Sequence, residues 1–307
     1  MSYGSEKMKK SIRKFVFFSL AIVFFMSLSA LTKLTVVDPY INRESNEKVQ
    51  TLYYKDTDIA LKKRFEELET INSDIKGWIK IENTVIDYPV VQSDNPTFYL
   101  EHDYEKNKSR YGSIFIDSNC KDGVKSKNIL LHGHHMKDGQ MFAAILKFSD
   151  VDFCKACPTI TFESPECYEN KWKIFSIFKT NTKPEHGQIF NYLAFSFGDD
   201  RSFLNYIYQL KIRSLVDTGV DISPDDQIIT LSTCSYEFDD FRTVLVARKV
   251  RINEDKNVDL NKIKANDNPL MPECWYKKYG GEIPKYDDFE YAYKTGKLDW
   301  VKDYKLY

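Results

Sequence analysis

The chain has 307 residues, 44 of them basic and 45 acidic, for a formal net charge of −1. That balance leaves no electrostatic footprint for a nucleic-acid partner. The length allows one large domain or two small ones, and an aromatic content of 15% supplies a sizeable core.

Residues 1–14, MSYGSEKMKKSIRK, form a basic segment carrying Lys7, Lys9, Lys10, Arg13 and Lys14. The uncharged run FVFFSLAIVFFMSLSAL, Phe15 to Leu31, follows it. As a helix, about 17 residues span roughly 25 Å, close to a hydrocarbon core of about 30 Å. Residues 15–32 therefore read as a transmembrane signal-anchor. The preceding basic residues hold that end in the cytoplasm and send the rest outside. A cleaved signal peptide is the competing reading, with Ser27 and Ser29 as small residues for cleavage. The apolar run exceeds the usual signal core, which favours the anchor, and either reading puts the remainder outside the cytoplasm. Residues 33–57, polar and mixed in charge, read as an extracellular stalk.

From about Asp58, the positions Leu61, Phe65, Leu68, Ile71/Asn72 and Ile75 step by three and four, the mark of an amphipathic helix. From Gly77 the pattern changes. GWIKI, TVIDYPVVQ, GSIFID, NILLHG, TITFE, KWKIFSIFKT, QIITLSTC and RTVLVARKV are rich in Ile, Val, Phe and Thr and bounded by turn residues. Such runs predict a mainly β domain, a closed barrel or a sandwich, with added helices. One helix interrupts them, from Asp200 to about Asp217, between the sixth and seventh runs. Residues 252–307 are polar and rich in Tyr and Lys. They read as an appendage to the domain at 58–251. A short helix falls in FEYAYKTGKLDWVKDY, and Trp275, Tyr279 and Trp300 are the side chains to drape it on the domain.

Six cysteines occur: Cys120, Cys154, Cys157, Cys167, Cys234 and Cys274. Cys154 and Cys157 form a C-x-x-C without the second pair or nearby histidine of a zinc site. Chance spacing is favoured there over a disulfide or a metal. Cys234 is different because it ends the run IITLSTC. The segment SYEFDDF then leads to Arg242, which opens RTVLVARKV. An antiparallel hairpin sets the end of one strand beside the start of the next. The guanidinium then favours a thiolate and can hold a developing oxyanion. Ser232 shares a strand face with Cys234. Upstream, NILLHGHHMKDGQMF supplies His132, His134 and His135 for proton transfer. His132 and His134 on one strand face also offer two metal ligands, but no third is evident, so no metal and no cofactor is expected. Arg248 reads as a solvated or paired surface residue. Glu237, Asp239 and Asp240 read as a solvated loop, with the orienting of His134 or Arg242 as the alternative.

TLSTC with Arg242 downstream and LLHGHHMKDGQMF upstream resembles the sortases. INSDIKGWIKIENTVIDYPVVQ, DNPTFYLEHDY, YGSIFID and the helix between the sixth and seventh strands resemble class B sortases, in order and spacing, over about residues 60–251. The resemblance implies an eight-stranded sortase β-barrel and a membrane-tethered cysteine transpeptidase of a Gram-positive surface. By motif it makes Cys234 the nucleophile, His134 the acid–base and Arg242 the electrostatic partner. His135 departs from the pattern, since many relatives have Asn there. Ser232 and Thr233 are expected to line the substrate groove. Asn95 and Leu100 match a region that contacts substrate, with loop capping and core packing as their alternatives. The implied partners are surface proteins bearing a C-terminal NPxTN or PxTG-like motif and a peptidoglycan amine. A pilin-polymerising sortase, a cysteine hydrolase using water and a non-catalytic surface module are the competing readings. The tail after residue 251 has no counterpart in the resemblance.

Overall fold

A computed structural model describes residues 2–55, 60–166 and 170–305, with the backbone alone for residues 2–7. The expected boundary at 57/58 and Cys167 lie outside the described residues. The chain divides into two units, 1–52 and 53–307.

The first unit is helical. Helix α1 (Ser2–Thr32) passes through a π-helical turn (Lys33–Val37) into α2 (Asp38–Tyr54), which runs on into the second unit. By length and composition, this stretch is able to cross a membrane. The expected stalk is thus helical to Tyr54.

The second unit opens with α3 (Leu61–Ile71), which buries Phe65 and Leu68. The helix ends earlier than its periodicity predicts. Asn72 is extended, and its side-chain amide donates to the Tyr99 hydroxyl and the Tyr104 carbonyl. Ile75 accordingly starts a strand.

All eight β runs become strands: β1 (Ile75–Lys80), β2 (Asp87–Gln92), β3 (Ile114–Ile116), β4 (Asn128–His132), β5 (Thr159–Glu163), β6 (Lys171–Thr180), β8 (Ile228–Ser235) and β9 (Phe241–Lys249). They close into a barrel in the order β1-β2-β3-β4-β8-β9-β6-β5. Pairing of β1 with β5 removes both sheet edges and decides for a barrel over a sandwich. Strands β4 and β8 lie parallel near the middle of that order. Ile129, Leu130, Leu131, Ile228, Ile229 and Leu231 are all buried, as expected of strands covered on both faces.

A short helix, α4 (Val151–Ala156), precedes β5, and α5 (Asp200–Arg213) packs on β6. The start of α5 is fixed by a capping box between Asp199 and Ser202. The predicted helix overran its end. Ser214 leaves helical geometry, and its hydroxyl accepts from the Ile177 amide and donates to the Val216 carbonyl. Val216 and Asp217 form β7 instead, paired with β10 (Lys264–Ala265) of the tail.

The tail is built into this unit. It contains α6 (Glu273–Tyr279) and α7 (Phe289–Lys294). Phe289 and Ala292 are buried, and Trp300 packs on the core. Its first acid, Glu254, pairs with Arg248 and Lys173. Arg248 also meets Asp221 and is only 1% exposed, so the expected surface arginine is a buried, paired one.

Candidate active site

The barrel brings the sequence motifs to one end of three neighbouring strands. Cys234 stands one residue from the end of β8, and Arg242 one residue into β9. The two are direct antiparallel partners. Residues in that relation project to the same side of the sheet with Cβ atoms about 4.5–5.5 Å apart. The hairpin is tighter than SYEFDDF implies, because Ser235 and Phe241 also pair. Asp240 closes the loop with φ +52°, a conformation that aspartate tolerates. Cys234 is a free thiol, half-buried rather than sealed in the core. The Arg242 guanidinium donates to its neighbour's carbonyl, Phe241 O, at 3.0 Å. Among the described residues, no carboxylate pairs with it, so its charge is uncommitted.

The histidine arrives from the other side of β8. Strand β4 ends at His132, opposite Ser232. The Gly133 amide then donates to the Ser232 carbonyl (3.2 Å), and the Thr233 hydroxyl donates to the Gly133 carbonyl (2.8 Å). Those two bonds tie the histidine segment to the residues just before Cys234. Gly133 is required by close approach: a Cβ there would lie 2.5 Å from Ile114 Cδ1 and 2.7 Å from Phe142 Cδ2. His134 follows, half-buried, with Nε2 2.8 Å from the Leu100 carbonyl oxygen. A carbonyl only accepts, so Nε2 carries the proton and Nδ1 of the neutral ring keeps its lone pair.

The other two histidines have different surroundings. His132 Nε2 meets Asp117 Oδ2 at 2.8 Å. The ring of His135 stacks on Tyr236 with centroids 5.0 Å apart and lies against the Cys234 backbone. Burial pushes its pKa down, which favours the neutral ring.

A cysteine, an arginine across the hairpin and a histidine just past the end of the adjoining strand are the residue types that acyl transfer through a thioester calls for. A model of the sortase domain matches residues 79–250, the span that holds all three.

The chain belongs to the sortase family.

Its similarities lie with sortase B. The chain is 39% identical to sortase B of Listeria monocytogenes over 173 residues, 56% of this chain and 68% of that one. It is 32% identical to sortase B of Staphylococcus aureus over 209 residues, 67% of this chain and 82% of that one. A solved Staphylococcus aureus sortase B–substrate complex superposes with a TM-score of 0.62 at 31% identity, covering 71% of this chain and 100% of that one. The eight-stranded barrel with its helix after β6 and the transpeptidase activity both follow from this membership.

The remaining expected residues of this sortase fall unevenly around the site. Leu100 is no core residue, being 36% exposed, and its carbonyl is the partner of His134. The Asn95 carboxamide accepts from the amide and hydroxyl of Thr97, a loop-capping role. Ser232 and Thr233 are buried, and their hydroxyls are taken by Tyr192 and Gly133. The acidic loop pairs with lysines, Glu237 with Lys179, and Asp239 and Asp240 with Lys183. It orients neither His134 nor Arg242 directly. Tyr192 was not foreseen. It hydrogen-bonds Ser232 at 2.8 Å and accepts from the Tyr206 hydroxyl at its own carbonyl. It sits in the irregular segment QIFNYLAF, which carries no periodic signal.

Proposed function

We propose that Cys234, His134 and Arg242 perform the transpeptidation, on a surface protein bearing a C-terminal NPxTN or PxTG-like motif. Support comes above all from the direct pairing of Cys234 with Arg242 across the β8–β9 hairpin. The Cys234 thiolate attacks the carbonyl carbon of the motif threonine. Arg242, which no carboxylate among the described residues neutralises, stabilises the oxyanion or holds the substrate strand. The C–N bond breaks, and the leaving amine takes the proton that His134 holds at Nδ1 in its imidazolium form, received from the Cys234 thiol as the thiolate formed. The resulting thioester is attacked by an acceptor amine, whose proton passes to the His134 Nδ1 lone pair as the thiolate departs. A peptidoglycan amine is the acceptor in this reading, and the domain at 58–251 works outside a membrane anchored through residues 15–32, with 1–14 in the cytoplasm. Ser232 and Thr233 support this site through their hydrogen bonds, while Asn95 and Leu100 flank the substrate approach.

The test uses the full chain in detergent micelles with fluorogenic peptides bearing NPQTN, SPKTG or LPETG, with and without a diaminopimelate or glycine peptide. Mass spectrometry of products is expected to show cleavage after Thr and an amine-linked product, both absent in Cys234→Ala. Cleavage that gives only the free acid whatever amine is supplied would instead make the protein a hydrolase. Cleavage that persists in Cys234→Ala would overturn the assignment.

A further inference from the structure

The tail reaches the hairpin loop between Cys234 and Arg242 through α6. The loop that joins Cys234 to Arg242 carries Phe238 near its tip, and α6 of the tail packs against it. The Phe238 ring lies 6.4 Å from that of Trp275 and 6.2 Å from that of Tyr279, and those two rings are 4.6 Å apart. Lys278 Nζ sits 4.6 Å from the Phe238 centroid and donates to the Glu237 carbonyl at 3.0 Å. Aromatic and cation–π contacts are thus combined with a hydrogen bond to the loop backbone.

For α6 to hold the loop it must itself be held, and it is. The Leu270 amide donates to the Ile212 carbonyl at the end of α5 (2.9 Å), and the Met271 amide donates to the Tyr276 hydroxyl (3.0 Å). Gly187 packs so tightly on Glu273 that a Cβ there would lie 2.7 Å from the Glu273 Cβ. The loop is also gripped from the end of β6 and the turn that follows it. Lys179 and Lys183 pair with its acids, and the Thr182 hydroxyl donates to the Asp240 carbonyl. From the loop, Tyr236 stacks on His135 and its hydroxyl donates to the His135 carbonyl at 3.2 Å. One loop therefore connects α6 with the nucleophile, with Arg242 and with the residue next to His134.

We propose that α6 is a brace for the catalytic loop, with Trp275, Lys278 and Tyr279 acting through Phe238 as positioning residues for Cys234 and Arg242. The proposal rests on the assignment of those two as the reacting pair. Small displacements of reacting groups cost rate far more than they cost substrate binding. Loss of the brace therefore lowers kcat and leaves KM nearly unchanged.

The full chain in detergent micelles is compared as wild type, Trp275→Ala, Tyr279→Ala, Trp275→Phe and Tyr293→Ala. Tyr293 lies at the far end of the tail, where its hydroxyl donates to the Tyr304 carbonyl, and serves as the control for tail packing. Steady-state kinetics, Tm and the rate of Cys234 alkylation at fixed pH are read for each. Trp275→Ala and Tyr279→Ala are expected to lower kcat on the order of tenfold or more, with KM little changed and slower alkylation. Trp275→Phe is expected to recover most of the loss, and Tyr293→Ala to lose Tm without losing kcat. Equal kcat and alkylation rates in wild type and Trp275→Ala, or a loss no larger than that of Tyr293→Ala, would overturn the brace. If wild type cleaves no peptide, the substrate reading fails. Alkylation then decides the brace alone: slowing in Trp275→Ala but not in Tyr293→Ala supports it, and equal rates overturn it.

Discussion

His134 Nε2 donates its proton to the Leu100 carbonyl oxygen across 2.8 Å, a bond from a side chain to a backbone group in a loop distant in sequence. It fixes which ring nitrogen is free for chemistry. Because the partner is backbone, the Leu100 side chain is dispensable for it. Leu100→Ala is expected to keep kcat within a few-fold, whereas His134→Ala loses about 10²–10⁴, the usual weight of an acid–base group. His135→Asn is expected to stay active, since that ring's role is stacking on Tyr236. Steady-state peptide kinetics on the three variants check the assignment, and a dead His135→Asn beside an active His134→Ala would reverse it.

Among the described residues, Arg242 presents a charge with no carboxylate partner, directly across the hairpin from Cys234. Arg242→Ala is expected to lower kcat about 10²–10³-fold, comparable with removing an oxyanion donor. Arg242→Lys should recover only part of this, because an ammonium lacks the forked donors. Single-turnover measurement of thioester formation tells the two steps apart. An unchanged acylation rate would move Arg242 out of the transition state.

The cluster of buried Arg248 with half-buried Asp221 and Glu254 makes stability depend on acid. Burial by itself would raise the Glu254 carboxyl, but hydrogen bonds from Arg248 and Lys173 overcome it and hold the group far below the usual carboxylate range. A folded-state pKa below the unfolded value of about 4.3 gives stability that is full above that value and is lost as pH falls through the lower one. Urea unfolding should therefore weaken below about pH 4, with a shallower slope in Glu254→Gln. Arg248→Ala removes the charged hydrogen bonds to the half-buried Asp221 and Glu254, which keep Arg251 and Lys173 as partners, and is expected to cost about 1–3 kcal/mol. Equal pH slopes in wild type and Glu254→Gln would rule out this contribution.

The thiols should separate by reactivity. Burial pushes Cys120 up to about 11 and Cys154 up to about 12, and both are fully covered. Cys154 and Cys157 are free, so the C-x-x-C is not a bridge in this fold. Iodoacetamide on the native protein is expected to label Cys234 well before Cys120, Cys154 and Cys157, by peptide mapping. Early labelling of Cys154 would show that its pocket opens.

The β pattern was readable because strand alternation and turn residues are local, and each of the eight runs became a barrel strand. Where local rules lost, a long-range contact won. Asn72 ended α3 early by bonding Tyr99 and Tyr104, and Ser214 ended α5 by bonding the β6 backbone. The acids of the β8–β9 loop read as solvated because their lysine partners lie far back in the chain, 58 positions before Glu237 and 56 before Asp239.

The order of residues alone determined the neighbour of Cys234. A hairpin joining TLSTC to RTVLV puts Arg242 beside Cys234, since antiparallel pairing is set by the strands that flank a short loop. It also determined the barrel's strands and the apolar helix at the N-terminus. Only the tertiary structure decided which carbonyl holds His134, which hydroxyl holds Ser232 and where the tail lies. Leu100, Tyr192 and α6 are brought to the site by barrel closure and loop packing. Those depend on the sum of many distant contacts, and no single stretch of sequence encodes them.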